Sequence, residues 1–352
     1  MKKLILTVVL FTGLLIVLPA LLVLFYSGTS THPLAAPASD PDSDTISSYQ
    51  DEAEEYKPGP EVVVPVYREG QDKVEDVELE DYVAGVVSAE MPAAFEMEAL
   101  KAQALVARTF VVKQMKLGDD ESLPEDAIVT DTTSHQVFKN EEEWEQEWGA
   151  EAEDRMEKIN SAVEATAGEI ITYDGSPITA SFFSTSNGHT ENAEEYWETS
   201  LPYLQSVESP WDVGSPRYEN TKRYPVAEIE QRLGVSIPEG TDLQENIERT
   251  EGNRIASVTI GNTTFHGREI RELLELDSSD FEWQREGEEI VIHTKGWGHG
   301  VGMSQYGADG MAKEGNNYRQ IVDHYYQDVE IAEDSSHMEA YVLNDKDEET
   351  ES

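Results

Sequence analysis

Residues 79–112 read LEDYVAGVVSAEMPAAFEMEALKAQALVARTFVV and contain two amphipathic patterns joined at a proline. In the first pattern, apolar side chains recur at the i, i+3, i+4, i+7 spacing of a helix with one buried face; they are Leu79, Tyr82, Val83, Val86 and Val87. The next position on that face is Glu90, and Pro92 disfavours helical geometry at Met91. The sequence therefore predicts a helix that ends at Glu90, with a carboxylate in place of an apolar side chain.

Two effects are expected to raise the pKa of the Glu90 carboxyl. Partial burial disfavours the ionised form, and so does the negative end of the helix dipole. A carboxyl that keeps its proton near neutral pH can act as a general acid. The alternative is that Glu90 is a solvated or salt-bridged residue at the end of an ordinary amphipathic helix.

The second pattern predicts a helix that begins near Phe95 or Glu96. Its apolar face carries Leu100, Ala104, Ala107 and Val111. Lys101 and Arg108 lie seven residues apart on a neighbouring face. The resulting helical hairpin could bring a cation towards Glu90.

These residues also resemble a known family. The runs VAGVVSAEMPAAF and EALKAQALVARTF are similar to the stage II sporulation protein D family of lytic transglycosylases, which remodel peptidoglycan during engulfment of the forespore. The resemblance continues in DTTSHQVF (131–138), ATAGEIITYDGSPITASFFSTSNGHTENAEEYW (165–197), YLQSVESPWD (203–212) and GWGHGVGMSQYGADGMA (296–312). Several blocks that follow one another in the family's order identify the family far more specifically than any one block alone.

The resemblance implies a mechanism with a single acid. Glu90 would protonate the oxygen between N-acetylmuramic acid (MurNAc) and N-acetylglucosamine (GlcNAc), and would then take the proton of the MurNAc C6 hydroxyl as that oxygen attacks C1. The product is a 1,6-anhydro-MurNAc end. Arg108 and Asp212 match residues that are important in the family. Arg108 would orient Glu90 or contact the lactyl carboxylate of the substrate, although its proximity would oppose a raised pKa of Glu90.

The glycine-rich stretch 296–312 is expected to return the chain to the site. Its alternating glycines allow close backbone approach, Ser304 is predicted to cap a helix running through Tyr306 to Ala312, and Trp297 or Tyr306 would stack on a sugar ring. We predict these substrate-binding residues: Arg108, His189, Asp212, His299, Ser304, Gln305 and Tyr306. A catalytic triad of His299, Asp212 and Ser304 is an alternative, but the chain lacks a nucleophile-elbow sequence.

The composition excludes some classes of function. With 72 acidic and 25 basic residues, the net charge is −47. No basic stripe is available to neutralise phosphates, so we expect no nucleic-acid partner. Such an acidic surface is typical of adaptation to high salt or high pH. Because peptidoglycan is itself anionic, its recognition would have to be local.

The chain contains no cysteine, which excludes disulfides and thiolate metal sites. Some relatives in the resembled family hold zinc with a His and two Cys in the segment after Asp131. Here His135 remains without those cysteines. We therefore predict no metal site and no cofactor, and we assign His135 to packing or hydrogen bonding.

The amino terminus predicts a membrane anchor. Lys2 and Lys3 precede an uncharged, leucine-rich run of about 23 residues, from Leu4 to about Tyr26, which is long enough to cross a bilayer. The lysines favour a cytoplasmic amino terminus and an extracytoplasmic catalytic domain on a single-pass protein of the cell membrane. Cleavage as a signal peptide near PLAAPAS (33–39) remains an alternative.

The whole pattern predicts an α+β protein: a helical hairpin and antiparallel strands around a groove, with an inserted α/β subdomain. The predicted regions are a transmembrane anchor (1–26), a flexible acidic linker (27–60), a catalytic core (61–216), the insertion (217–292), the return of the core (293–333) and a disordered acidic tail (334–352). Glu61 to Tyr67 reads as an edge strand because of Pro65. Residues 141–167 read as one helix, and Asp174-Gly175 reads as a hairpin turn.

The resemblance also implies partners. The expected substrate is glycan strands stripped of stem peptides, and the expected protein partners are stage II sporulation proteins P and M. The main alternative is a glycan-binding module that stimulates a cell-wall amidase without cutting. A purely structural tether of the engulfment complex is a third possibility, and it predicts normal sporulation with Glu90→Gln.

Overall fold

The structure, a computed structural model, describes residues 62–118, 123–124, 127–197 and 199–333. The predicted membrane segment (1–26), linker (27–60) and acidic tail (334–352) lie outside these residues. Among the residues described, no helix combines the length and the apolar character needed to cross a bilayer. The described residues form a mixed α+β fold with several antiparallel sheets, as the sequence predicts.

The secondary structure of the described residues is as follows. The helices are α1 (Leu79–Glu90), α2 (Met97–Leu117), α3 (Glu141–Trp148), α4 (Ala152–Glu164), α5 (Ala193–Trp197), α6 (Val226–Leu233), α7 (Gly267–Leu273), α8 (Gln305–Lys313) and α9 (Tyr318–Tyr325). The strands are β1 (Val63–Arg68), β2 (Lys73–Glu78), β3 (Val129–Thr130), β4 (Glu169–Tyr173), β5 (Ser176–Pro177), β6 (Phe182–Phe183), β7 (Glu219–Pro225), β8 (Ile247–Arg249), β9 (Ile255–Ile260), β10 (Thr263–His266), β11 (Phe281–Glu286), β12 (Glu289–Lys295), β13 (Met303–Ser304) and β14 (Glu330–Glu333).

The predicted helical hairpin is present, and α1 ends at Glu90. Met91 is extended, with φ −123° and ψ 134°, as expected for a residue before proline. Both helices bury apolar side chains in the main hydrophobic core; among them are Tyr82, Val86, Leu100, Leu105 and Val111. Burial of each such side chain contributes roughly 1.5–3 kcal/mol. The end of α1 is therefore held firmly in place.

Strand β1 lies at the centre of its sheet, so the prediction of an edge strand is wrong. The strand order is β2-β1-β3, with β2 antiparallel and β3 parallel to β1. The Pro65 carbonyl accepts a hydrogen bond from the N–H of Ile128 at 2.9 Å, and β3 begins only at Val129. In a strand, the N–H and the carbonyl of one residue point to the same side, so an N–H at position 65 would point towards β3. Because β3 has only two residues, this N–H would lie beyond its end. Proline therefore costs the sheet no ladder bond here.

The single helix predicted for residues 141–167 is divided into α3 and α4. The 3₁₀ turn Gly149–Glu151 separates them, and Gly149 adopts φ +55°, a left-handed conformation that glycine reaches without steric cost. Helix α3 begins with a capping box between Asn140 and Glu143. Trp148, the last residue of α3, and Glu151, the last residue of the turn, both line the groove described below.

A second hydrophobic core lies within residues 226–292. It is enclosed by two antiparallel sheets, of order β11-β12-β7 and β10-β9-β8, and by helices α6 and α7. Within this region α6 spans Val226–Leu233, the turn Gly261-Asn262 joins β9 to β10, and β11 pairs with β12. Trp283, 1% exposed, is the largest side chain of this core.

The glycine-rich return joins the main fold through a short parallel pairing. Met303 pairs with Phe182, and Ser304 pairs with Phe183. Ser304 then caps α8, because its Oγ accepts a hydrogen bond from the N–H of Gly307 at 3.2 Å. The predicted cap is confirmed, and it fixes where the side chains of Gln305 and Tyr306 emerge.

Candidate functional site

A groove of about 1240 Å³ lies at the carboxyl end of α1. Its walls come from the turn after α1, the loop 133–136, helices α3 and α4, residues 179–184 and the glycine-rich return. The aromatic side chains that line it are Phe110, Trp148, Phe182, Phe183, Trp197, Trp297 and Tyr306. Aromatic rings with polar groups between them are suited to a ligand that has both apolar and hydroxyl-bearing faces, as a sugar polymer has.

Glu90 lines this groove and its side chain is half-buried. Its Oε1 accepts a hydrogen bond from the backbone N–H of Val137 at 2.9 Å. Burial raises the pKa of the Glu90 carboxyl, while the Val137 N–H and the charge of Lys139 oppose that rise. The net direction is upward, which is the direction that a general acid requires.

A glycine on α1 allows the segment 137–139 to reach Glu90. A Cβ atom at Gly85 would lie 2.4 Å from Cε2 of Phe138 and 2.6 Å from the carbonyl oxygen of Lys139. The Lys139 N–H donates to the Gly85 carbonyl at 3.4 Å, and the Phe138 ring stacks on Tyr82 with 5.4 Å between centroids. This packing places the Val137 N–H against the carboxyl group.

Gln305 holds the main chain at the same point. Its Nε2 donates to the carbonyl oxygen of Glu90 at 3.0 Å and contacts Oε1 of Gln103 at 3.4 Å. Gln305 is buried and lines the groove, as does the adjacent Tyr306, whose ring packs edge-on against Phe95 at 4.9 Å. The structure thus brings these two predicted site residues to Glu90.

His299 also lines the groove, half-buried among aromatic rings. Burial, together with the positive charges of Arg271 and Arg254, lowers the pKa of His299 to about 3, so the ring is neutral at physiological pH. Its Nδ1 accepts a hydrogen bond from the N–H of Val301 at 3.0 Å. The ring proton therefore lies on Nε2, which is 3.5 Å from Ser181 Oγ. This N–H is donated within the protein, to the backbone carbonyl of Phe182, and it holds the ring in one orientation.

Arg108 is not near Glu90, and this expectation from the sequence is wrong. The Arg108 side chain is fully buried and pairs with Glu80, with Nη2 2.6 Å from Oε2. It also donates to the carbonyl oxygens of Val163 and Glu169. Glu80 stands at the start of α1, so ten residues, or about 15 Å of helix, separate it from Glu90. Arg108 therefore ties α2 to α1, to the end of α4 and to the start of β4, and it does not line the groove.

Asp212 and Ser304 are buried beside each other behind the groove. Asp212 accepts hydrogen bonds from Ser304 Oγ at 2.5 Å, Ser209 Oγ at 2.6 Å and both the N–H and Oγ of Ser186 at 2.8 Å. Burial raises the pKa of Asp212, and these donors oppose the rise. Neither residue lines the groove, so direct substrate contact by Asp212 or Ser304 is not supported. They fix the start of α8 and, with it, Gln305 and Tyr306.

The remaining predictions for this region are also corrected. No catalytic triad forms, because Ser304 bonds directly to Asp212 while His299 bonds to Val301 and Ser181. His189 is exposed and does not line the groove; its carbonyl oxygen accepts hydrogen bonds from Arg254. The prediction of His189 as a substrate-binding residue is therefore not supported.

The residues around His135 do not fit the zinc site of some relatives. The cysteine ligands of that site are absent from the sequence. His135 Nδ1 lies 3.1 Å from Thr130 Oγ1, which agrees with a hydrogen-bonding role. Within the described part of the chain, no group of three or more His, Cys, Asp or Glu side chains is placed to hold a metal ion.

Gln136 and Arg217 are among the groove residues that were not singled out from the sequence. Gln136 is 1% exposed, and its Oε1 accepts a hydrogen bond from Tyr82; its membership of the DTTSHQVF block was the available signal. Arg217 lines the groove with its guanidinium 4.5 Å from the centroid of the Trp297 ring. It follows the SPWD block without any local pattern, so only the tertiary structure identifies it.

Comparison with known proteins gives consistent matches. The family model described as "Stage II sporulation protein" matches residues 67–173, which include α1, α2 and Val137. Stage II sporulation protein D of Bacillus subtilis (strain 168) is 45% identical over 345 residues, covering 97% of this chain and 99% of that protein. The protein of the same name from Bacillus amyloliquefaciens is 49% identical over 281 residues, covering 80% of this chain and 82% of that protein. The amidase enhancer of Bacillus subtilis (strain 168) is 29% identical over 297 residues, covering 69% of this chain and 39% of that protein.

Proposed function

This chain belongs to the stage II sporulation protein D family, and from that premise we propose that it is a lytic transglycosylase of peptidoglycan. The bond cleaved is the MurNAc–GlcNAc bond of glycan strands, and the new ends are 1,6-anhydro-MurNAc. The observation that carries the proposal is the half-buried Glu90 carboxyl, whose pKa is raised by burial, in a groove lined with aromatic rings.

The geometry of Glu90 supports its use first as an acid and then as a base. Oε1 accepts the Val137 N–H, whereas Oε2 has no hydrogen-bond partner among the described residues. In the proposed first step, Oε2–H gives its proton to the glycosidic oxygen, and the C1–O electron pair leaves with GlcNAc. The Glu90 carboxylate then takes the proton of the MurNAc C6 hydroxyl as O6 bonds to C1. All atoms balance without water, and Glu90 ends protonated.

The neighbouring side chains have supporting roles in this proposal. Gln305 fixes the main chain of Glu90, and the neutral His299 contributes an uncharged ring to the wall of the groove. Tyr306 and Trp297 line the groove and would cover sugar faces. A second carboxylate is not required, because the substrate's own C6 hydroxyl is the nucleophile; a hydrolase of the usual kind would need one.

The proposal is tested by incubating the protein with purified glycan strands and analysing the products by mass spectrometry. We expect wild type to release fragments with 1,6-anhydro ends and Glu90→Gln to release none while remaining folded. Glu157→Gln is the matched control, because Glu157 is exposed on α4 and does not line the groove. Normal cleavage by Glu90→Gln would refute the mechanism.

A second candidate function is a glycan-binding enhancer of a cell-wall amidase. The match to a relative named amidase enhancer favours it, and the same groove would bind the glycan. This function predicts no anhydro product from wild type and an unchanged stimulation of an added amidase by Glu90→Gln. The product analysis and the amidase assay together separate the two functions.

We also propose the setting in which the protein works. Residues 1–26 would anchor it in the cell membrane as a single-pass protein, with residues 61–333 outside the cytoplasm. Its substrate would be glycan strands stripped of stem peptides, and stage II sporulation proteins P and M would be its partners during engulfment. Co-purification of these proteins from sporulating cells tests the partnership.

A further inference from the structure

The groove contains three basic side chains with different surroundings: Arg155, Lys158 and Arg217. Arg155 pairs with Glu151 at 2.5 Å, and the Lys158 ammonium donates to the carbonyl oxygens of Ala93 and Phe95 at 2.9 and 2.5 Å. The Arg217 guanidinium has no hydrogen bond and no carboxylate partner within the described residues. In a chain of net charge −47, a groove cation that no described carboxylate neutralises is available for an anion from outside.

A buried hydrogen-bonded frame holds Arg217 and Trp297 together. Trp297 exchanges two backbone hydrogen bonds with Thr185, at 2.7 and 3.1 Å. The Thr185 hydroxyl is 2.8 Å from Ser215 Oγ, which in turn accepts the N–H of Arg217 at 3.1 Å. Thr185 and Ser215 are 1% and 7% exposed. The backbones of Arg217 and Trp297 are therefore anchored at one buried point, while Trp297 itself remains 36% exposed.

The frame is continuous with the part of the groove that holds Glu90. Ser184, next to Thr185, accepts the N–H of Tyr306 at 3.1 Å through its carbonyl, and the adjacent Gln305 donates to the Glu90 carbonyl. A glycan strand lying along residues 182–184, which line the groove, would therefore extend from Glu90 towards the Arg217–Trp297 pair. The Arg217–Trp297 pair is therefore placed to contact another sugar of the same strand whose glycosidic bond lies at Glu90.

The chemistry of a guanidinium stacked on an indole indicates which sugar group it would bind. A guanidinium forms paired hydrogen bonds with a planar carboxylate, and the aromatic ring keeps its fork oriented. In a peptidoglycan strand, the lactyl group of MurNAc is an anionic carboxylate only when no peptide is attached. With a stem peptide, the same carbonyl belongs to a neutral amide.

We infer that Arg217, held over Trp297, binds the free lactyl carboxylate of a MurNAc residue and so makes the groove prefer strands without stem peptides. The inference rests on the proposed function in that the groove must bind glycan. It does not require that Glu90 perform the chemistry. Arg217 takes the carboxylate-binding role that the sequence suggested for Arg108, which is buried against Glu80.

The test measures binding in a protein that the proposed mechanism leaves unable to cut. The full-length Glu90→Gln chain, in detergent, is titrated calorimetrically with three glycan preparations of equal length. One is stripped by an amidase, the second is the same material with its lactyl carboxyl coupled to methylamine, and the third retains its stem peptides. We expect the stripped strands to bind about tenfold more tightly than the methylamide strands, the usual size of a charge-assisted hydrogen bond lost.

Adding Arg217→Gln should remove this preference by weakening only the stripped strands, and Arg217→Lys should restore part of it, since it keeps the charge but not the fork. Arg223→Gln is the matched control, because Arg223 is an exposed arginine paired with Glu286 on the insertion and does not line the groove. Equal weakening of stripped and methylamide strands by Arg217→Gln would assign Arg217 to holding Trp297 and overturn the inference. A third outcome is that peptide-bearing strands bind as tightly as stripped strands and weaken equally on Arg217→Gln. That result would show that Arg217 binds a carboxylate of the stem peptide, and it would also overturn the inference.

Failure of the inference is distinguishable from failure of the proposed function. Anhydro products from wild type without a binding preference would refute only the role of Arg217. A binding preference without anhydro products would leave that role intact and refute the transglycosylase. If neither neutral nor anionic strands bind to the Glu90→Gln chain, the glycan groove itself is wrong and both fail.

Discussion

Gly85→Ala tests how the fold controls the proposed acid. The added Cβ would lie 2.4 Å from the Phe138 ring, whereas two carbon atoms need about 3.5 Å. The ring cannot easily yield, because it is packed between Tyr82 and the Arg68 guanidinium. The segment 137–139 must therefore retreat by about 1 Å. That lengthens the Val137–Glu90 hydrogen bond, now 2.9 Å, to about 4 Å, beyond hydrogen-bonding range.

Two effects of Gly85→Ala follow. Overpacking should lower the free energy of unfolding by about 1–3 kcal/mol, which a domain with ordinary stability of about 5–15 kcal/mol survives. The Val137 N–H now opposes the rise of the Glu90 pKa, so its loss should raise that pKa further. Because the acid step needs protonated Glu90, the rate falls as pH rises through its pKa. The alkaline limb of the pH–rate profile should therefore move to higher pH, at a lower maximal rate.

The assay is the initial rate of anhydro-product formation across pH, with urea denaturation measured on the same samples. Gly70→Ala is the matched control, since a Cβ at Gly70 would meet nothing within 4 Å. We expect that control to keep the stability and the pH profile of wild type. A Gly85→Ala protein with the wild-type alkaline limb and wild-type stability would refute the argument that this contact sets the state of Glu90.

Two further predictions concern stability. Arg108→Ala should lower the free energy of unfolding by about 2–4 kcal/mol, because it removes a buried partner of Glu80 and the donors to two carbonyl groups. Activity per folded molecule should stay close to that of wild type. A loss of turnover without a loss of stability in urea denaturation would show that Arg108 acts in the groove and would contradict its structural assignment. Glu90→Gln should be more thermostable than wild type at pH 8 but not at pH 4. Burial raises the folded-state pKa of Glu90, so wild type loses stability as the pH rises from the unfolded-state pKa of about 4.3 through the folded-state pKa. Gln does not titrate, so the variant does not lose this stability. Equal melting-temperature differences at both pH values would contradict this account.

The acidity of the chain affects how substrate recognition is achieved. The protein and its proposed substrate are both anionic, so long-range attraction does not favour binding, and screening limits their repulsion to roughly 10 Å at 0.1 M salt. The groove has local features that can bind an anionic polymer: aromatic rings, a carboxyl whose pKa is raised by burial, a neutral His299, and Arg217, which has no carboxylate partner among the described residues. An acidic surface and the proposed groove for an anionic polymer are therefore compatible.

Several features were determined by the sequence alone because they depend on neighbouring residues. Helical spacing from Leu79 to Val87 placed α1, and Pro92 ended it at Glu90. Ser304 was recognisable as a helix cap, and Asp174-Gly175 as a tight turn, with φ +49° and +71°. The motif blocks were enough to identify the family, since their order along the chain is itself information in the sequence.

Other features were decided only by the tertiary structure, because they depend on pairing between distant segments. The chain offers 72 carboxylates, so spacing could not show that Arg108 pairs with Glu80 instead of approaching Glu90. The central position of β1 depends on a two-residue strand some 60 residues away in the chain. The donor to Glu90 is a backbone N–H, which every residue except proline carries and no sequence motif marks. Local periodicity placed the acid, but long-range packing determined what surrounds it.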